Sequence, residues 1–257
     1  MNFVQSDWPT ASLSERNGPY YRVKSESYHL LSGSRMQFPL VQVALDVTNI
    51  DKAIAIAVSA EKAGVSLIEA GTPLIKSRGI DAISLLRRNL RHDVKIVADM
   101  KTMDAGRIEV ELAIDAKADI ISICGLASES TVVEAIRAGR DRIQIMLDLL
   151  NHPNPIEAAK KSEELGADYV CLHTGLDEQR QKAVSASNQL HIIGVIASRA
   201  RIPVAVAGGI KPQMAASLLD AGAKILIVGS YITSAMNARD AASEMLQAVK
   251  RGWKKRI

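Results

Sequence analysis

From residue 40 onward, short apolar runs rich in β-branched residues alternate with alanine-rich stretches of helical period, the pattern of parallel strands joined by crossover helices. Eight such runs end on a polar or small residue: LVQVALD at Asp46, VSLIEAG at Glu69, VKIVADM at Asp99, ADIISIC at Cys124, RIQIMLD at Asp148, DYVCLH at His173, PVAVAGG at Gly208 and KILIVGS at Gly229. The steps between these ends are 23, 30, 25, 24, 25, 35 and 21 residues, and a spacing near 25 accommodates one strand, one helix and two short loops. Several helical stretches finish in glycine shortly before the next strand, at Gly64, Gly139, Gly166 and Gly222, where a left-handed residue would stop the helix. At the fourth strand the same junction reads IDAKAD, with Lys117 in the place of glycine. Eight strand and helix units predict a closed (β/α)8 TIM barrel, a single α/β catalytic domain over residues 39–257.

Residues 1–38 break the pattern and carry six of the nine aromatics, with no clear period. They read as an N-terminal extension: a cap on the barrel or across a dimer, a poorly ordered tail, or a start misassigned upstream of Met36. The first ten residues have no basic segment followed by an apolar one, so a signal peptide is not expected.

Composition narrows the class without naming a chemistry. With 47% hydrophobic and 23% charged residues in 257, the chain can bury one large core. Its charges are spread so that no uncharged apolar stretch reaches the length of about 18 residues that a spanning helix needs. The net charge is +4, and the basic end KRGWKKRI reads as a solvated tail, because no basic stripe elsewhere would bind nucleic acid. Cys124 and Cys171 lie within apolar runs and read as buried thiols, consistent with a cytoplasmic protein. No GxGxxG, GxxxxGK[ST], GxSxG, HExxH or CxxC motif is present.

In a barrel of this type the active site forms at the C-terminal ends of the strands. Asp46, Glu69, Asp99 and Asp148 end four of the eight runs and His173 ends a fifth. Any one acid could simply cap the next helix, but apolar strands have no packing reason to finish in four carboxylates and a histidine. In an extended VADMKTMDAG segment, Asp99 and Lys101 would project to one face, and Asp104 would open the following helix. A lysine between carboxylates stays protonated and can stabilise an oxyanion. Glu69 and Asp99, on adjacent strands, can share Mg²⁺, which favours one or two carboxylates with water and substrate oxygens. Gly208, Gly209, Gly229 and Ser230 end the last two strands, where backbone N–H groups commonly meet a phosphate; tight turning alone would also explain these glycines.

The segments EAGTPLIK (69–76), ADMKTMDAG (98–106), HTGLD (173–177), VAGGI (206–210) and VGSYIT (228–233) together resemble the 3-hexulose-6-phosphate synthases of the orotidine 5'-monophosphate decarboxylase group of barrels, over residues 40 to about 245. The sister 3-keto-L-gulonate-6-phosphate decarboxylases place an arginine where Leu176 stands. The resemblance implies a reversible aldol reaction, dependent on Mg²⁺ or Mn²⁺, between formaldehyde and D-ribulose 5-phosphate. His173 would be the base and Glu69 and Asp99 the metal ligands. Lys101 would donate to the enediolate oxygens, and Asp46 and Asp148 would orient substrate hydroxyls. It further implies a homodimer with shared sites, Asp104 reaching into the partner's cavity. The competing readings are the decarboxylase and a non-catalytic barrel that senses phosphosugars or binds RNA.

Overall fold

The computed structural model describes residues 39–254, so the expected extension over 1–38 and the last three residues of the basic tail lie outside the described part. Eight parallel strands follow one another around a closed barrel: β1 (Leu40–Leu45), β2 (Leu67–Ala70), β3 (Lys95–Thr102), β4 (Ile120–Cys124), β5 (Gln144–Asp148), β6 (Tyr169–His173), β7 (Val204–Ala207) and β8 (Ile225–Val228). Closure is the pairing of β8 with β1, in register from Leu40 on Ile225 to Val43 on Val228. The expected (β/α)8 barrel is therefore the observed one.

The outer ring comprises α1 (Ile50–Ala63), α2 (Thr72–Arg78), α3 (Asp81–Asn89), α4 (Gly106–Asp115), α5 (Glu129–Gly139), α6 (Pro155–Leu165), α7 (Leu176–Lys182), α8 (Leu190–Arg199), α9 (Ala215–Asp220), α10 (Ser230–Thr233) and α11 (Ala238–Lys254). The two long steps in the sequence each hold an additional short helix, α2 before α3 and α7 before α8. Helix ends follow local chemistry. Asn49 caps α1 by accepting the Lys52 N–H at 2.8 Å, and Gly64, with φ +102°, ends it.

Three of the four expected glycine stops are left-handed: Gly64, Gly166 and Gly222. Gly139 is not, and the positive φ at that junction falls on Asp141 instead. A Cβ on Gly139 would come within 3.0 Å of Ile145 and 3.1 Å of Ile143, so glycine is kept there by close packing of α5 on β5. Lys117 does adopt the left-handed conformation, φ +69°, at a cost of about 1 kcal/mol relative to glycine.

Alternation along the strands divides two apolar sets. Outward side chains such as Val41, Val43, Leu45, Ile68 and Ile121 meet the helices. Inward ones, among them Ala44, Leu67, Val97, Ile120, Met146 and Ile227, fill the barrel interior. Two features interrupt this order on the way to the mouth. Gln42 is buried at an inward position of β1. The ladder between β3 and β4 shifts register between Ala98 and Thr102, a bulge at which Lys101 takes φ +46°.

Candidate active site

The strand ends bring Asp46, Glu69, Asp99, Lys101, Asp148 and His173 to one mouth of the barrel. Lys101 is the hub. Its Nζ lies 2.9 Å from both Asp99 carboxylate oxygens and 2.9 Å from Asp148 Oδ2. Asp99 and Lys101 do share a cavity as expected, but not through a regular extended strand: the bulge and the left-handed Lys101 backbone turn the side chain back over Asp99. Burial by itself would depress the ammonium pKa; the Asp99 and Asp148 charges outweigh it and push Lys101 well above the ordinary range, so it is a fixed cation.

Asp148 is buried, and burial opposes its ionisation, yet His173 and Lys101 hold it well below the usual carboxylate range. Being ionised it can only accept, so the contact of 2.9 Å to His173 requires the proton on Nδ1. In neutral His173 this leaves the Nε2 lone pair unprotonated, the arrangement of an oriented general base. The other Asp148 oxygen accepts the Leu150 N–H at 3.0 Å. The Asp148 oxygens are thus engaged by three protein donors, Lys101, His173 and Leu150.

Two residues outside the expected set fix Asp99. Ser122 Oγ, inward on β4, donates to Asp99 Oδ1 at 2.6 Å and accepts the Lys101 N–H at 3.1 Å, satisfying an amide at the bulge. Thr72 Oγ1 lies 2.7 Å from Asp99 Oδ2 and 2.8 Å from the Asp99 carbonyl, and the Thr72 N–H reaches Oδ2 at 3.3 Å. The signals were present: Ser122 is a lone hydroxyl at an inward position of the run IISIC, and Thr72 sits within EAGTPLIK.

Glu69 is buried and accepts a hydrogen bond from Gln42 Nε2. Burial, followed by the Asp99 and Asp46 charges, pushes its carboxyl well above the usual range. Asp46 stands at the open rim, above its ordinary value through partial loss of hydration and the Asp99 charge. It packs so closely beneath Gly71 that a Cβ there would lie 2.2 Å from Asp46 Oδ1. Four carboxyl groups therefore face one lysine and one histidine.

That anionic surplus, made of hard oxygen donors, fits a divalent cation bound through Glu69 and Asp99 with its other positions filled by water and substrate. Among the described residues no group of three His, Cys, Asp or Glu side chains is arranged to hold a metal ion by itself.

Between β6, which carries His173, and β1, which leads to Asp46, Gly208, Gly209, Gly229 and Ser230 follow the adjacent strands β7 and β8, and a Cβ on Gly229 would lie 3.4 Å from Asp46 Oδ2. Gly208 has φ +119°, and a Cβ on it would meet Thr174 at 2.7 Å, so tight turning does account for this glycine. Asp104 is not brought into the cluster. It is exposed, its Oδ1 accepts the neighbouring Ala105 N–H at 2.7 Å, and it makes no side-chain cap on α4, whose first turn follows Ala105 at φ +54°. Met103, Ile108 and Leu112 are exposed around it, as is Leu126 in the loop after β4.

The family model described as Orotidine 5'-phosphate decarboxylase / HUMPS family matches residues 39–245. The chain is 34% identical to a 3-hexulose-6-phosphate synthase of Mycobacterium gastri and 33% identical to one of Bacillus subtilis, covering 81% and 82% of this chain and 99% of each relative. Among solved structures, a 3-hexulose-6-phosphate synthase superposes with a TM-score of 0.77 at 33% identity, covering 82% of this chain and 99% of that one. A 3-keto-L-gulonate-6-phosphate decarboxylase from Vibrio cholerae superposes with a TM-score of 0.74 at 26% identity, covering 84% of this chain and 100% of that one.

Proposed function

Because the chain belongs to the orotidine 5'-phosphate decarboxylase / HUMPS family, we propose that it is an aldehyde-lyase of the 3-hexulose-6-phosphate synthase type, joining formaldehyde reversibly to D-ribulose 5-phosphate. The observation that carries this reading is the chain of contacts from His173 through Asp148 to Lys101 and Asp99, which sets a base and a fixed cation on one cavity.

His173 Nε2 takes the C1 proton of ribulose 5-phosphate, while Asp148 holds the ring in its tautomer and balances the imidazolium that forms. The negative charge that develops on the enediolate oxygens faces the Lys101 ammonium, already oriented by two carboxylates and therefore requiring little reorganisation. The enediolate carbon then attacks formaldehyde, and the imidazolium returns its proton to the new alkoxide, giving D-arabino-3-hexulose 6-phosphate. Mg²⁺ or Mn²⁺ held by Glu69 and Asp99 would supply further positive charge beside those oxygens. Asp46, exposed at the rim, would meet a sugar hydroxyl, and the backbone at Gly208, Gly209, Gly229 and Ser230 would meet the phosphate.

A homodimer with shared sites belongs to the same proposal. Asp104 makes no contact with its own cluster, and the large apolar side chains Met103, Ile108 and Leu112 stand exposed beside it. A cytoplasmic location is proposed from the free thiols of Cys124 and Cys171. Among the described residues no helix is long and apolar enough to cross a membrane.

The test is formaldehyde consumption in the presence of ribulose 5-phosphate, with and without EDTA. Turnover that EDTA abolishes and Mg²⁺ or Mn²⁺ restores is the expected result. Carbon dioxide release from 3-keto-L-gulonate 6-phosphate without formaldehyde turnover would assign the decarboxylase instead, a reading disfavoured by Leu176, which opens α7 exposed where those enzymes resemble an arginine pattern.

A further inference from the structure

Gln42 is a polar side chain in a place where the barrel offers apolar packing. It points inward from β1, is 1% exposed, and shares the interior with Leu67, Val97 and Ile227. Its Nε2 donates to Glu69 Oε2, but its own Oε1 has no hydrogen-bond partner. An acceptor buried without a partner destabilises the fold, so stability alone would favour leucine or methionine here. With Glu69 ionised, as a metal ligand must be, turning the amide over would set a carbonyl oxygen against the carboxylate. The orphaned oxygen is thus the consequence of aiming the NH₂ at Glu69.

The strand register explains how the contact is made. Gln42 pairs with Leu67, and Glu69 is two residues nearer the mouth on β2, so the pair is a diagonal one that only a long side chain can bridge. Gln42 is the one side-chain hydrogen-bond partner of Glu69 among the described residues. A glutamate torsion at the carboxylate is broad and soft, and one anchored oxygen fixes the plane in which the other is presented.

We propose that Gln42 is a positioning residue for Glu69: by anchoring one carboxylate oxygen from below, it presents the other to a divalent cation at the mouth. This inference rests on the reading of Glu69 and Asp99 as metal ligands. Groups that orient a ligating carboxylate from behind commonly contribute 10- to 100-fold in metal affinity.

The experiment measures Mn²⁺ binding to the purified full chain without substrate, by the loss of the free-ion electron paramagnetic resonance signal, for wild type, Gln42→Met and Gln42→Leu. Each protein is also melted in EDTA. Both variants exchange the orphaned Gln42 oxygen for an unpartnered Glu69 oxygen, so they should melt near the wild-type temperature and bind Mn²⁺ about 10- to 100-fold more weakly. Their requirement for metal in turnover should rise, with kcat largely recovered at saturating metal. Affinity within about twofold of wild type in either well-folded variant would overturn the proposal, as would a loss of affinity that only accompanies a fall in melting temperature. If the wild-type protein itself binds no Mn²⁺, the metal reading has failed and this inference goes with it; normal wild-type binding that the variants retain removes Gln42 alone.

Discussion

His173 Nδ1 and Asp148 Oδ2, on the adjacent strands β6 and β5, lie 2.9 Å apart, and the same oxygen is 2.9 Å from Lys101 Nζ. One buried carboxylate therefore sets the tautomer of the base and helps keep the cation in place. Asp148→Asn breaks both functions, since an amide carries no charge with which to hold the ammonium or balance an imidazolium. Proton exchange at C1 of ribulose 5-phosphate in D₂O should slow by about 10²- to 10⁴-fold.

The same substitution has a signed dependence on pH. The Asp148 pKa in the folded protein is below the ordinary 3.8, so its stabilising contribution is fully present above that value and is lost as pH falls through the folded one. Leaving the partly buried Lys101 and His173 without this partner should cost about 3 kcal/mol at pH 7. Urea denaturation should show the gap between wild type and Asp148→Asn narrowing as pH falls below about 4. A gap that widens below that pH would contradict the assignment.

Ser122→Ala removes the donor to Asp99 Oδ1 and the acceptor of the Lys101 N–H together. The expected loss is about 1–3 kcal/mol in stability, from the unsatisfied amide, and about 10- to 100-fold in turnover, from a less rigid Asp99. Ser122→Thr keeps the hydroxyl and should restore most of both. Thermal melts and steady-state kinetics on the two variants decide the point.

Site sharing is tested by mixing inactive subunits. Lys101→Ala and Asp104→Asn proteins, denatured together and refolded at equal ratio, should regain about one quarter of wild-type activity, because half of the dimers would be mixed and each would carry one intact site. Recovery near zero from mixtures that do form mixed dimers would place Asp104 outside the partner's cavity.

The left-handed backbone of Lys117 costs about 1 kcal/mol relative to glycine. Lys117→Gly should therefore raise the melting temperature by about 2–4 °C, the shift that this energy produces in a domain of this size, with kcat unchanged because the junction lies between α4 and the N-terminal end of β4, at the other end of the barrel from the acids.

The barrel and the candidate acids were legible in the chain because both depend on local periodicity. An apolar run that ends in Asp46, Glu69, Asp148 or His173 reports a strand and the residue at its end, and the repeated spacing then requires closure. Gly139 departs from its expected role for the same reason: a helix-ending glycine looks alike whether it supplies a left-handed φ or room for Ile143 and Ile145, and only packing separates the two. The contacts of the site belong to tertiary structure. That Lys101 folds back over Asp99 depends on a bulge and a positive φ, which a regular alternation cannot encode. That Ser122 and Gln42 serve the acids depends on strand register, which sets side chains 23 and 27 residues apart side by side or on a diagonal, and Thr72 does so from the start of α2. Sequence determined which groups would reach the mouth; the closure and stagger of the barrel decided which of them touch, because contact across strands depends on distances that no single strand contains.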